Sequence, residues 1–203
     1  MDWKRKVSAL YQAVRTSPEP GAAWASWRAV RDDLFRHHPQ SPVPERDRAQ
    51  LTVSYYPYDP AARVLAEVAG VPPVSRRVTA SDGGTYQFTR FAEARFALSG
   101  QSCTLGLHWL EGYGGGLFVP FRDATSGTET YGGGRYLLDT VKGADLGVRE
   151  GRLVLDFNFA YNPSCAYDFR WSCPLAPPEN RLAIAVRAGE RAPGIPAGEA
   201  TDV

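Results

Sequence analysis

The sequence predicts a mainly β fold, an antiparallel β-barrel or sandwich with two N-terminal α-helices packed against it. Helical periodicity is confined to residues 2–37. From Leu51 onward short apolar runs alternate with glycine turns, and no helix-length segment separates them.

Taken in order, residues 2–15 and 22–37 each read as a helix. The second carries Trp24, Trp27, Val30, Leu34 and Phe35 on one apolar stripe, the pattern of a core-facing surface. TSPEPG (16–21) separates the two helices, and the prolines of HHPQSPVPER end the second by forcing extended backbone on what precedes them. Ten strands follow, near 51–56, 63–68, 74–80, 85–91, 94–99, 102–110, 117–121, 135–140, 152–157 and 182–187. SerAspGlyGly at 81–84, SerGlyGln at 99–101 and GluGly at 150–151 are tight-turn signals. A second TyrGlyGlyGly at 113–116 reads as the lip of a long hairpin loop.

Alternation assigns faces. Cys103, Leu105, Leu107 and Trp109 share one side of their strand, with Thr104, Gly106 and His108 on a wet side. Leu153, Leu155, Phe157 and Phe159 point one way, while Arg152, Asp156 and Asn158 point to a polar surface. From Ala188 the sequence loses periodicity and becomes rich in Gly, Pro and Ala. The expectation is a single β-rich domain over 1–190, its helical part at 2–37, and a disordered tail at 191–203.

A formal charge of +1 gives no field to recruit nucleic acid or an acidic membrane, so neither is expected as a partner. Lys occurs only at 4, 6 and 142, so Arg supplies most of the positive charge, as a GC-rich coding bias alone would produce. No apolar run reaches eighteen residues and no signal peptide is evident, which predicts a cytoplasmic protein. Three cysteines in such a chain do not form a disulfide framework.

PFRDATSGTETYGGGRY (120–136), LDFNFAYNPSCAY (155–167) and CPLAPPENRL (173–182) resemble the signature of the prokaryotic family catalogued as domain of unknown function 1684. Weaker echoes lie in HPQSP (38–42) and YYPYDPAARV (55–64), so the likeness runs over about residues 24–190. The resemblance implies a cytoplasmic, mainly β domain with no agreed substrate. Phe159 stands where the family pattern has a basic or small residue, which makes the rim of any site more apolar here.

The same block holds the candidate chemistry. Arg122, Asp123, Tyr131 and Arg135 surround the GlyGlyGly of 132–134, whose amides can turn toward an anion while the two guanidinium forks hold a carboxylate or phosphate. The competing reading is a tight turn held by an Arg–Asp pair. No helix follows these glycines, so this is neither a phosphate-binding loop nor a dinucleotide fingerprint. Asp156 is the catalytic candidate, as a proton-handling group, with Asn158, Tyr161 and Asn162 orienting a polar ligand. Asn and Asp beside Pro are also ordinary turn residues.

Cys165 and Cys173 read as structural thiols shaping a cap, with a disulfide as the next reading. A metal is not expected, since no CxxC occurs and the three His are remote. Glu179 reads as a brace and His108 as a wall residue. GlyXSerXGly is absent, which removes the common serine hydrolases. No cofactor is assigned; a flavin-binding barrel is a minor reading testable by colour.

Two functions stay open. One is a binding protein or enzyme for a small polar or anionic molecule, with a pocket built from the 120–136 and 156–182 loops. The other is a structural or interaction module in which the same Arg, Asp and Asn residues form a buried brace.

Overall fold

The computed structural model describes residues 2–112 and 116–194. The predicted lip at 113–116, apart from Gly116, and the tail beyond Gly194 lie outside the described residues.

Helix α1 spans Asp2–Thr16 and α2 spans Pro20–His37. Pro20 opens α2, where a missing amide costs nothing, and Pro39 follows its end, with His38 already extended. The buried face of α2 is Ala23, Trp24, Trp27, Leu34 and Phe35. Val30, expected on that stripe, is instead exposed.

Seven strands follow: β1 (Arg63–Thr79), β2 (Thr85–Leu98), β3 (Gln101–Leu110), β4 (Leu117–Phe121), β5 (Arg135–Asp139), β6 (Val148–Arg149) and β7 (Arg152–Asp156). They form one antiparallel sheet in the order β5-β4-β3-β2-β1-β7-β6. The mainly β fold with two N-terminal helices is thus as predicted, but the sheet is open: β5 and β6 are its edges.

Four predicted strands merge into β1 and β2. Pro72 and Pro73 interrupt the pairing without ending it, because the β1–β2 register slips between Gly70 and Val74 and then resumes. The turns behave as read. Ser99 and Gly100, and Glu150 and Gly151, adopt paired positive φ (52° and 74°, 54° and 73°), the twist that suits two-residue hairpins.

Two predicted strands are absent. At 51–56 only Tyr55 makes a bridge, to Glu190. Over 182–187 the alternation is real, since Leu182, Ile184, Val186 and Ala188 are buried, yet no ladder forms. The carbonyls of Val186, Ala188 and Glu190 instead accept hydrogen bonds from Arg135. The order therefore extends past Ala188, where the sequence suggested a loss of structure. Glu190 is fully buried, and the Arg191 amide donates to Ser54 O.

The wet face of β3 is also covered. His108 is 2% exposed and Trp109 47% exposed, the reverse of the predicted assignment. A bulge at Phe91 shifts the β2–β3 register beside them, and residues 178–180 lie over the face. There Asn180 exchanges bonds with Gly106 N (2.7 Å) and Gly106 O (3.1 Å). Gly106 must lack a side chain, since a Cβ would sit 2.9 Å from His108 Cε1. Likewise Asp156 and Asn158 do not reach a polar surface. β7 ends at Asp156, the turn Phe157–Phe159 rolls the chain over, and both polar residues are buried.

Candidate functional site

Three segments that are distant in sequence meet at one end of the sheet. The start of α1 and residues 40–42 face the ends of β2 to β5, and the loop 164–174 closes the side. Between them lies a cleft of about 370 Å³, with walls from Trp3, Tyr86, Phe118, Tyr136 and Trp171. Its floor is set by ring packing: Phe118 meets Phe88 and Tyr136 edge-on, with centroids 5.5 Å and 4.7 Å apart. Its side is held by two tethers, Tyr136 Oη to Pro174 O (2.8 Å) and Trp171 Nε1 to Pro42 O (2.9 Å). The polar end carries Lys142, paired through Nζ with Asp139 Oδ2 at 2.9 Å.

Trp3, Pro42, Lys142 and Ser164 also border a smaller recess of about 50 Å³ beside the cleft. Arg31 lines it, stacked on Phe35 (4.4 Å) and Tyr161 (4.9 Å), with Nε bound to Glu190 Oε1 at 2.5 Å. Glu190 Oε2 accepts from Asn162 N (2.5 Å) and from Tyr167 Oη (3.0 Å). The buried Asn162 Oδ1, by contrast, has no hydrogen-bond partner among the described residues.

Cys173 lines the cleft, and Cys165 touches Cys173 without itself lining the cleft. The Cys165 amide donates to Cys173 Sγ (3.3 Å), and Tyr131 Oη is 3.5 Å from Cys165 Sγ. The three cysteines are free thiols. Donation from Cys173 holds the Cys165 thiol down to about 6; burial opposes this, and Ser81 and Tyr131 add to it. The Cys173 thiol is driven upward in turn, chiefly because it donates to Cys165 and also by burial.

The family model described as "Protein of unknown function (DUF1684)" matches residues 51–191. The chain belongs to the DUF1684 family. The solution NMR structure of an uncharacterized protein from Haloarcula marismortui is similar, at 38% identity over 82% of this chain and 92% of that chain, with a TM-score of 0.57. The comparison with curated proteins found no match.

Within this DUF1684 chain the sequence-predicted residues fall into separate groups. Arg135 is 1% exposed and spends its donors internally, on Asp123 Oδ2 (2.7 Å), Val186 O (2.8 Å), Glu190 O (3.1 Å) and Ala188 O. Asp123 Oδ1 accepts from the Thr125 amide at 2.6 Å. The glycines beside them form a packed turn, in which Gly134 has φ 94° and a Cβ would lie 2.5 Å from Phe121 O. Arg122 sits against Gly134 with its Nε buried and unbonded among the described residues.

Asp156 and Asn158 belong to another group. Asp156 Oδ1 accepts from Asn158 N (3.0 Å) and Nδ2 (2.8 Å), and Oδ2 faces Arg63 at 3.4 Å. Asn158 in turn exchanges two bonds with the Asp59 backbone. Burial pushes the Asp156 carboxyl above its usual range, against the pull of Asn158 and Arg63. Neither residue borders the cleft or its recess.

Tyr161 and Asn162 do border the recess, and Tyr131 reaches Cys165. The residues of the cleft and recess that the sequence did not single out include Trp3, Arg31, Tyr86, Asp139, Lys142 and Trp171. Their polar surroundings in the sequence, as in MDWKRK, VRDD and DTVKGAD, carry no mark of a site. Among the described residues no group of three His, Cys, Asp or Glu could hold a metal ion, and no helix is long and apolar enough to cross a membrane.

Proposed function

We propose that the protein binds, and as an enzyme would transform, a small molecule with an aromatic or apolar body and a polar head. The cleft of about 370 Å³ carries this reading. It has the size of a ligand site, and five aromatic side chains share its walls with the polar Lys4, Gln40, Asp139, Lys142, Ser164 and Ser172, a mixture that can fix a small organic molecule. The recess beside it, with Arg31 and an Asn162 Oδ1 that has no partner among the described residues, supplies a place for the head group. This keeps the pocket beside the 156–182 loops but moves it off Arg122 and Arg135. The cytoplasmic location expected from the sequence would suit the free thiols beside the cleft.

A second reading assigns a bracing role to Arg135, Asp123, Asp156 and Asn158. Their complete internal bonding favours it, and it is compatible with the first, since a braced scaffold holds a cleft open.

The test is a fluorescence titration with 8-anilinonaphthalene-1-sulfonate, an aromatic anion, against wild type and Ser172→Trp. Ser172 is exposed and lines the cleft, so the indole fills it without entering the core. The expected result is saturable binding that weakens about tenfold in the variant, roughly 1.4 kcal/mol, with an unchanged urea midpoint. Equal binding by both proteins would reject the cleft as the site.

A further inference from the structure

Cys165 and Cys173 bring two thiols, an amide donor and a tyrosine hydroxyl together beside the cleft wall. Cys165 is half-buried rather than sealed, and its sulfur lies 3.5 Å from Tyr131 Oη. Cys173 is more deeply buried, lines the cleft, and has its own amide bound to Ser81 Oγ at 3.0 Å. The Cys165 amide donates to the Cys173 sulfur. Packing alone asks for none of this, because an inert buried cysteine needs no donors.

We propose that Cys165 and Cys173 form a thiol–disulfide exchange site, in which the half-buried Cys165 attacks and the more deeply buried Cys173 resolves, acting on small aromatic or apolar disulfides. The Cys165 thiolate attacks one sulfur of a substrate RS–SR. The S–S bond breaks, a Cys165–S–SR mixed disulfide forms, and RS⁻ leaves to take a proton from water. Cys173 then gives its proton to water and attacks the Cys165 sulfur, and the second RS⁻ departs. Two electrons have passed from the pair to the substrate, leaving a Cys165–Cys173 disulfide that an external thiol reductant reverses.

The structure accounts for the order of the steps. Cys165 is the more accessible of the two, and its thiolate, when formed, drives the Cys173 thiol upward. Once Cys165 is in the mixed disulfide that charge is gone, and the Cys165 amide remains to stabilise the emerging Cys173 thiolate. The inference does not depend on what else the cleft binds, since its readouts are confined to the sulfurs.

The experiment uses the reduced full chain with 5,5′-dithiobis(2-nitrobenzoate). Cys103 is the internal comparison, since burial raises its thiol. At pH 6.5 a thiol near 6 is mostly ionised, against about 1% for an ordinary thiol near 8.5. Its lower intrinsic nucleophilicity returns about tenfold of that advantage, so Cys165 should react at least about fivefold faster than Cys103. The native wild type should release two thionitrobenzoates from the pair, and its denatured mass should fall by two hydrogens with no retained adduct at Cys165 or Cys173.

Cys173→Ser should stop at the mixed disulfide and keep the adduct, and Cys165→Ser should lose the fast phase. Tyr131→Phe should shift the rate profile to higher pH while leaving the pairing intact. A fast phase that survives in Cys165→Ser, an adduct retained on the wild-type pair, or labelling of Cys165 no faster than Cys103 would overturn the proposal.

Discussion

Replacing Arg135 by Met removes the β5 side chain that hydrogen-bonds the irregular segment 186–190. The methionine keeps most of the volume and none of the donors. Asp123 retains the Thr125 amide on Oδ1 but loses its partner on Oδ2, leaving a buried carboxylate half satisfied. Breaking a buried ion pair from one side costs about 3–5 kcal/mol. The carbonyls of Val186, Ala188 and Glu190 also lose their donor, at about 1–3 kcal/mol for each that water cannot reach.

The predicted loss is therefore at least about 4 kcal/mol, a large share of the roughly 5–15 kcal/mol that holds an ordinary domain together. Urea unfolding of wild type and Arg135→Met measures it. Amide exchange locates it, because Tyr56 N bonds Gly189 O and Arg191 N bonds Ser54 O, so both should lose protection first. A stability loss under about 1 kcal/mol, or unchanged protection at Tyr56 and Arg191, would refute the bracing argument.

Two further perturbations read other parts of the scaffold. Asp156 has a folded pKa above its unfolded value, so its ionisation opposes folding; the stability it lends at low pH is lost as pH rises through the folded pKa. Against Asp156→Asn, which cannot ionise, the wild type should lose relative stability from about pH 4 upward until Asp156 is fully ionised, measured as the gap in urea midpoints between pH 3.5 and 7; a gap that stays constant or moves the other way contradicts the assignment. Gly189→Ala places a methyl 2.5 Å from Ala160 O and 2.7 Å from Phe157 O at a φ of 79°, so it should cost more than the roughly 1–2 kcal/mol of a left-handed alanine; a melting temperature equal to wild type would show that this corner is looser than drawn.

Local features of the fold were readable from the chain. The break at 16–21, the proline end of α2 and the glycine hairpins at 99–101 and 150–151 are set by neighbouring residues, and they appear where the sequence puts them. Faces failed where tertiary contacts intervened. His108 looked wet until residues 178–180 covered it, and the stretch from Ala188 looked aperiodic because Arg31, the partner of its Glu190, lies 159 residues away. The strand expected at 182–187 has the right alternation, but its backbone is divided between single bonds to Arg122 and Ala124 and the Arg135 side chain from β5. Of the candidate site, the Cys165 and Cys173 spacing was visible. The cleft was not, since Trp3, Tyr86, Tyr136 and Trp171 meet only after folding.

The central claim is that small molecules enter between the start of α1 and the loop 164–174. An NMR titration of the labelled protein with 8-anilinonaphthalene-1-sulfonate tests it most directly. The account predicts saturable shifts at the indole N–H groups of Trp3 and Trp171 and at the amides of Ser164 and Ser172. Shifts concentrated instead at the exposed rings of Trp109 and Phe91, with the cleft signals unmoved, would contradict it.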